Sequence, residues 1–152
     1  MNVKLTTDTI APSLRRLLAK AENAEPAMRA AATVVTSMAR DAFTNEAVRP
    51  SAWAPLRPFT LARKAELGYG SKPLIASGVL ARSPRTIETS RTHALVGSDR
   101  RVGDYSLAAI HQLGAPKAHV PPRPFFPFSA AGKATETVRR RVRDVLLRWL
   151  RK

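Results

Sequence analysis

Residues 134–150, ATETVRRRVRDVLLRWL, carry the strongest secondary-structure signal in the chain. Apolar side chains recur there every three or four positions and form one stripe: Val138, Val142, Val145, Leu146, Trp149 and Leu150. This spacing predicts an amphipathic helix that packs on a sheet through its stripe. Thr135, Glu136 and Thr137 are suitable residues for its start, and arginines in its last turn interact favourably with the helix dipole.

The other face of this helix is basic. The residues that we single out as a face for an anionic partner are Arg139, Arg140, Arg143 and Arg148. A solvated outer face is the simplest interpretation of such a pattern. Contact with a DNA backbone and contact with a membrane surface are the alternatives, and the pattern leaves all three open.

Residues 10–43 predict two more helices. Pro26 would lose a hydrogen bond inside a continuous helix, so we expect a break at residues 22–25. Both helices carry an apolar stripe that we place in the core. The stripes are Ile10, Leu14, Leu17, Leu18 and Ala21 in the first helix, and Met28, Ala31, Val35, Met38 and Ala42 in the second.

Residues 48–73 form a Pro-rich loop. Its prolines and glycines are too frequent for long regular structure, although residues 60–67 can form a short helix. Trp53, Leu56 and Phe59 are the expected anchors that pin the loop to the body. Loops of this length are often functional, and this one is a candidate to reach a neighbouring subunit.

Short extended elements follow the loop. Residues 84–90 and 93–97 predict a hairpin, and residues 98–103 predict a charged turn. The patterns of residues 74–80 and 105–113 fit either a strand or a short helix. The chain therefore predicts one α+β domain, residues 1–152, in which N-terminal helices and a long amphipathic C-terminal helix pack on a small antiparallel sheet. Its Pro-rich residues 116–127 predict an extended arm, residues 115–128.

Composition narrows the classes of function. The 152 residues include 26 Lys and Arg against 11 Asp and Glu, a net charge of +15. This excess favours an anionic partner, either a nucleic acid or an acidic protein. No apolar run suits a membrane span or a secretory leader, so we expect a cytoplasmic protein without membrane contact. The lack of cysteine excludes disulfides and thiolate metal sites.

No arrangement of side chains indicates catalysis. The three histidines, His93, His111 and His119, lack metal-binding spacing, and the acidic residues are scattered. Nucleophile-elbow, Walker-type and dinucleotide-binding motifs are missing from the sequence. We therefore expect no enzymatic activity and no cofactor or metal.

Three segments in a fixed order resemble a known family. Residues 43–56 read FTNEAVRPSAWAPL, and residues 74–83 read LIASGVLARS. Residues 105–126 read YSLAAIHQLGAPKAHVPPRPFF and end in a spaced P-x-R-P-F motif. In this order the segments, which span most of the chain, resemble the virion morphogenesis family of tailed bacteriophages. That family includes the tail-completion proteins of Mu-like and P2-like phages.

The resemblance implies structural work in virion assembly. It implies a helix-on-sheet α+β fold and a homo-oligomeric ring, a hexamer or a dodecamer, at the head–tail junction of the virion. The partners would be the tail terminator and connector or portal-side proteins, with packaged DNA as a further contact. The residues expected to dock on a subunit or partner are Trp53, Arg123, Pro124, Phe125 and Phe126. A small basic DNA-binding protein is the alternative that the charge supports.

Overall fold

Helix α2, Glu25–Asp41, is the central element of the fold. In the computed structural model, which describes residues 10–129 and 131–151, it follows α1, Ile10–Glu22, after a short break. Pro26 lies in the first turn of α2, where its missing N–H removes no intrahelical hydrogen bond. The two predicted helices and their break are confirmed. Residues 1–9, on which part of the expectation of no secretory leader rests, lie outside the described residues.

Two short antiparallel hairpins supply the strands. β1, Arg85–Thr89, pairs with β2, Ala94–Gly97, which confirms the predicted hairpin. The segment predicted as a charged turn instead contains β3, Arg101–Val102, and this strand pairs with β4, Tyr105–Ser106. Helix α2 packs on the first hairpin, where Arg40 Nε donates a 3.0 Å hydrogen bond to the Pro84 carbonyl.

The C-terminal helix is confirmed as α6, Glu136–Arg151. The Thr135 hydroxyl accepts a 3.3 Å hydrogen bond from the Val138 N–H and so caps the helix start. The stripe of α6 packs mainly on α2, not directly on a sheet as predicted, and Val138 is buried there. A two-stranded hairpin is too narrow to cover both helices, so α2 lies between the hairpin and α6. The α+β fold is confirmed with this change in layering.

The Pro-rich loop contains a helix that stands away from the core. A 3₁₀ turn, Glu46–Val48, precedes it, and α3 itself spans Pro58–Glu66. None of the α3 residues is buried, and Phe59 is 82% exposed. The predicted short helix is therefore confirmed, whereas the prediction that Phe59 anchors the loop is wrong. Trp53 and Leu56 are half-buried.

Both ambiguous segments end in short helices. Helix α4, Val79–Arg82, follows Gly78, and α5, Leu107–Leu113, follows β4 directly. After α5 the arm first forms a 3₁₀ turn, Pro116–Ala118. The arm is therefore extended only beyond this turn, which corrects the prediction for its first residues.

The core is small and lies between α2, α5 and the arm. Its buried members are Ala39, Ala42, Phe43, Val48, Ala108 and Phe125. In the α2 stripe, Ala31, Met38 and Ala42 are buried as predicted. The prediction for α1 is wrong, because Leu14, Leu17 and Leu18 are 54%, 45% and 63% exposed. The side chain of Ile10 lies outside the described side chains.

Candidate functional site

The arm binds to its own chain through Phe125. This side chain is fully buried, with its ring centroid 5.0 Å from that of Phe43 and 4.8 Å from that of Phe126. Phe43 in turn contacts Trp53 edge to face at 5.7 Å. Aromatic pairs at these separations contribute about 1 kcal/mol each beyond their buried area. The arm therefore supplies the centre of the core.

Arg123 holds the arm against the Pro-rich loop. Its guanidinium donates from Nε to the Ala54 carbonyl at 2.8 Å and from Nη2 to the Pro55 carbonyl at 3.0 Å. The residue is only 7% exposed, and burial lowers the pKa of Arg123 from its ordinary value. A buried guanidinium that is held by carbonyls fixes the spacing of two chain segments.

Gln112 is the first of two residues that the sequence did not indicate. Its Oε1 accepts hydrogen bonds from the N–H groups of Phe125 and Phe126, at 3.1 and 3.0 Å. Its Nε2 donates to the carbonyls of Phe126 and Phe128, at 3.3 and 2.7 Å. The Gln112 side chain thus makes the hydrogen bonds to the arm backbone that a neighbouring strand would make in a sheet. The family-like pattern contains Gln112, but nothing in its spacing indicates this role.

Trp53 is held by two further contacts. Its Nε1 donates a 2.8 Å hydrogen bond to the Pro124 carbonyl, and the Arg49 guanidinium carbon lies 3.9 Å from its ring centroid. Arg49 also donates to the Ala42 carbonyl at 2.7 Å and to the Glu46 carboxylate at 2.8 Å. Arg49 is a second residue that sequence reasoning missed.

These contacts bring together all five residues that the sequence predicted as a docking site. Arg123, Pro124 and Phe125 are buried in the chain itself, whereas Trp53 and Phe126 are half-buried beside them. Docking of Phe125 on another subunit would require this side chain to leave its own core. Trp53 and Phe126 remain partly exposed, so a docking role for this cluster stays a prediction.

Among the uncovered apolar surfaces of the described structure, three are candidates for contact with a partner. The first is the α1 stripe, here defined as Leu14, Leu17 and Leu18. The second is Phe59 on the projecting helix α3. The third, here called the α2–α6 groove, is a cavity of about 600 Å³ lined by Val35, Phe128, Ala134, Val138, Arg139, Val142, Arg143, Leu146 and Leu147. Uncovered apolar surfaces of this kind are typical of protein interaction sites.

The predicted basic residues of α6 are all exposed. Arg139 and Arg143 lie at the edge of the α2–α6 groove, whereas Arg140 and Arg148 point to other sides of the helix. Within the part of the chain that the structure describes, Arg140 has no acidic side chain within 4 Å. The basic outer face that the sequence predicts for this helix is therefore exposed to solvent.

His111 has an uncommon environment. Its Nδ1 is buried without a hydrogen-bond partner, and burial, together with the nearby charge of Arg123, lowers the pKa of His111. Among residues 10–129 and 131–151, no group of acidic, His or Cys side chains is arranged to hold a metal ion. Within those ranges, too, no helix has the length and apolar character needed to cross a membrane.

Comparison with known proteins connects this geometry to a family. The model of the phage virion morphogenesis family matches residues 5–151, which is nearly the whole chain. No curated protein and no solved structure matches the chain. In this fold, the P-x-R-P-F segment forms part of the core through Phe125. The chain belongs to the phage virion morphogenesis family.

Proposed function

We propose that this protein is a structural component of a tailed-phage virion that acts in tail completion and head–tail joining. In this role the protein catalyses no reaction and acts as one subunit of a ring in the neck. Its partners are further copies of itself and the tail terminator, connector or portal-side proteins. Membership of the virion morphogenesis family supports the general role, and the uncovered apolar surfaces support the specific one.

The observation that carries the proposal is the separation of these surfaces on one chain. A closed ring uses heterologous contacts, so each subunit needs two different surfaces that fit each other. Two of the apolar surfaces project from the chain, the α1 stripe and Phe59. The third, the α2–α6 groove, is concave. A projecting group of one subunit in the groove of the next would produce a heterologous contact.

The test is complementation of a phage that lacks this gene with surface variants. Leu18→Glu and Phe59→Ser change exposed side chains, so both variants should fold with the wild-type melting temperature within about 2 °C. We expect both to leave DNA-filled heads and tails unjoined in electron micrographs. Val102→Glu is the control, because Val102 is 60% exposed and belongs to none of the three surfaces. Normal particles from both surface variants would refute the proposed contacts.

A further inference from the structure

One side of α6 forms a continuous basic surface that differs from the side facing the groove. At 3.6 residues per turn, four arginines fall within an arc of about 100° on this helix: Arg140, Arg141, Arg148 and Arg151. The same arc contains Thr137 and Asp144 and no apolar residue. The α6 basic arc is here defined by these four arginines.

Helix α1 extends the charge beyond the end of α6. An open cavity of about 190 Å³ at the C-terminal end of α6 is lined by Arg16, Lys20 and Arg151, together with Ser13, Leu17 and Leu150. None of the described residues that line it is acidic. Lys20 Nζ donates a 2.8 Å hydrogen bond to the Leu150 carbonyl and so offsets the negative end of the α6 dipole. The guanidinium groups of Arg16 and Arg151 are therefore available to bind an anion.

The charges of the arc are only weakly neutralised within the chain. Asp144 is its one acidic member; its carboxylate lies 3.6 Å from Nε of Arg143, which is outside the arc. Arg148 donates to the backbone carbonyl of Asp144 at 3.3 Å, not to the carboxylate. In the described ranges, Arg140, Arg141 and Arg151 have no acidic side chain within 4 Å. The surface therefore keeps a net positive charge for an external anion.

We propose that the α6 basic arc, together with Arg16, binds the phosphate backbone of duplex DNA. From Arg140 to Arg151 the helix rises about 16 Å, comparable with the major groove width of roughly 12 Å, so its two ends reach phosphates on both sides of a groove. Arginine makes bidentate contacts with phosphate oxygens. Contacts to phosphates alone carry no sequence information, so binding is independent of sequence.

The character of the arc favours DNA over a membrane. A helix that binds a bilayer inserts the apolar face that lies opposite its basic residues. In α6 that face packs mainly on α2, and Val138 is buried there, so the apolar face is held within the chain. The inference rests on the proposed function for its setting, since a protein in the neck lies beside the path of the DNA. Binding itself is measured on the purified protein, so a negative result here leaves the particle assay above unaffected.

The experiment is a titration of a fluorescent 20-base-pair duplex with the purified full chain, followed by anisotropy between 50 and 200 mM NaCl. With four or five phosphates neutralised, log K should fall with log salt with a slope of about −4. In the variant Arg140→Gln/Arg148→Gln, two contacts are lost. The slope should then become shallower by about 2, and affinity at 100 mM salt should fall roughly 60-fold.

The matched control is Arg63→Gln/Arg85→Gln, which removes the same net charge. Both residues are exposed and paired with an acidic side chain, Arg63 with Glu66 at 2.9 Å and Arg85 with Asp99 at 3.1 Å. The control should keep the wild-type slope and affinity within about threefold, because its arginines lie outside the arc. Equal losses in the two double variants would overturn the proposal, since binding would then follow overall charge.

Two further outcomes would also overturn it. One is the absence of binding at 50 mM NaCl with protein at tens of micromolar. The other is tight binding to vesicles of phosphatidylcholine with phosphatidylserine but not to the duplex, which would assign the arc to a lipid surface. Two duplexes of unrelated sequence should bind with equal affinity within about threefold.

Discussion

Replacement of Gln112 by Ala should destabilise the protein more than alanine replacement of any other α5 side chain. The side chain makes four hydrogen bonds to the arm, and two of them satisfy the N–H groups of Phe125 and Phe126. Each bond contributes about 1 kcal/mol net, and a buried N–H left without a partner costs about 1–3 kcal/mol. Because Phe125 is fully buried, water cannot replace the lost acceptor there.

The expected loss is about 3–5 kcal/mol of unfolding free energy. The two hydrogen bonds to the Phe126 and Phe128 carbonyls contribute the least to this free energy, because both residues are half-exposed and water reaches them. A protein of this size loses roughly 3 °C of melting temperature per kcal/mol, so the midpoint should fall by about 10–15 °C. The unfolding free energy of a whole domain is about 5–15 kcal/mol, so this loss would leave the variant only marginally stable.

The assay is urea unfolding at pH 7.5, followed by tryptophan fluorescence and far-UV circular dichroism. Leu113→Ala is the matched control, because Leu113 is the next residue on α5 and is 56% exposed. It should cost less than about 1 kcal/mol. If Gln112→Ala lay within 1 kcal/mol of this control, the arm would not depend on the Gln112 hydrogen bonds, and the reasoning would fail.

Three further changes test the same region. Arg123→Met leaves two buried loop carbonyls without a donor and should cost about 2–4 kcal/mol in urea unfolding, with Arg123→Lys recovering less than half of the loss. Because the folded-state pKa of His111 is lowered from 6.5, the stability from its neutral form is present above pH 6.5 and decreases as the pH falls below it. His111→Phe should remove that part of the pH dependence in melting curves between pH 5 and 8, and it should not lower stability at pH 8. Gly114→Ala should cost about 1–3 kcal/mol by calorimetry, because φ there is +80° and the new Cβ would lie 3.1 Å from the Val120 carbonyl oxygen.

The elements with a strong local pattern were predicted correctly. The 3.6-residue periodicity of α1, α2 and α6 and the alternation of the first hairpin are properties of neighbouring residues, so the sequence contains them directly. Pro26 marked the break between the first two helices for a similarly local reason. The basic face of α6 follows from the same periodicity.

The partners of these elements were harder to predict. An apolar stripe shows that a face avoids water, but it does not show which surface covers it. For this reason the stripes of α1 and α2 look alike in sequence, although only that of α2 is buried in its own chain. The same ambiguity placed α6 on a sheet, when α2 supplies its contact.

The arm shows this difficulty most clearly. Its aromatic residues and Arg123 are equally suited to an intermolecular pocket and to an intramolecular core. The deciding contacts come from Ala54 and Pro55, which are 69 and 68 residues from Arg123, and from Gln112, which is 13 residues from Phe125. No local pattern connects these residues to the arm. The P-x-R-P-F motif thus forms part of the core of its own chain, and its docking role stays a prediction.

The most direct test of the proposed role is electron microscopy of lysates from a phage or prophage in which this gene is deleted. The proposed function predicts DNA-filled heads and separate tails with incomplete head-proximal ends, and restoration of joined particles by the wild-type gene in trans. Intact, joined and infectious particles from the deletion would contradict a role in tail completion or head–tail joining.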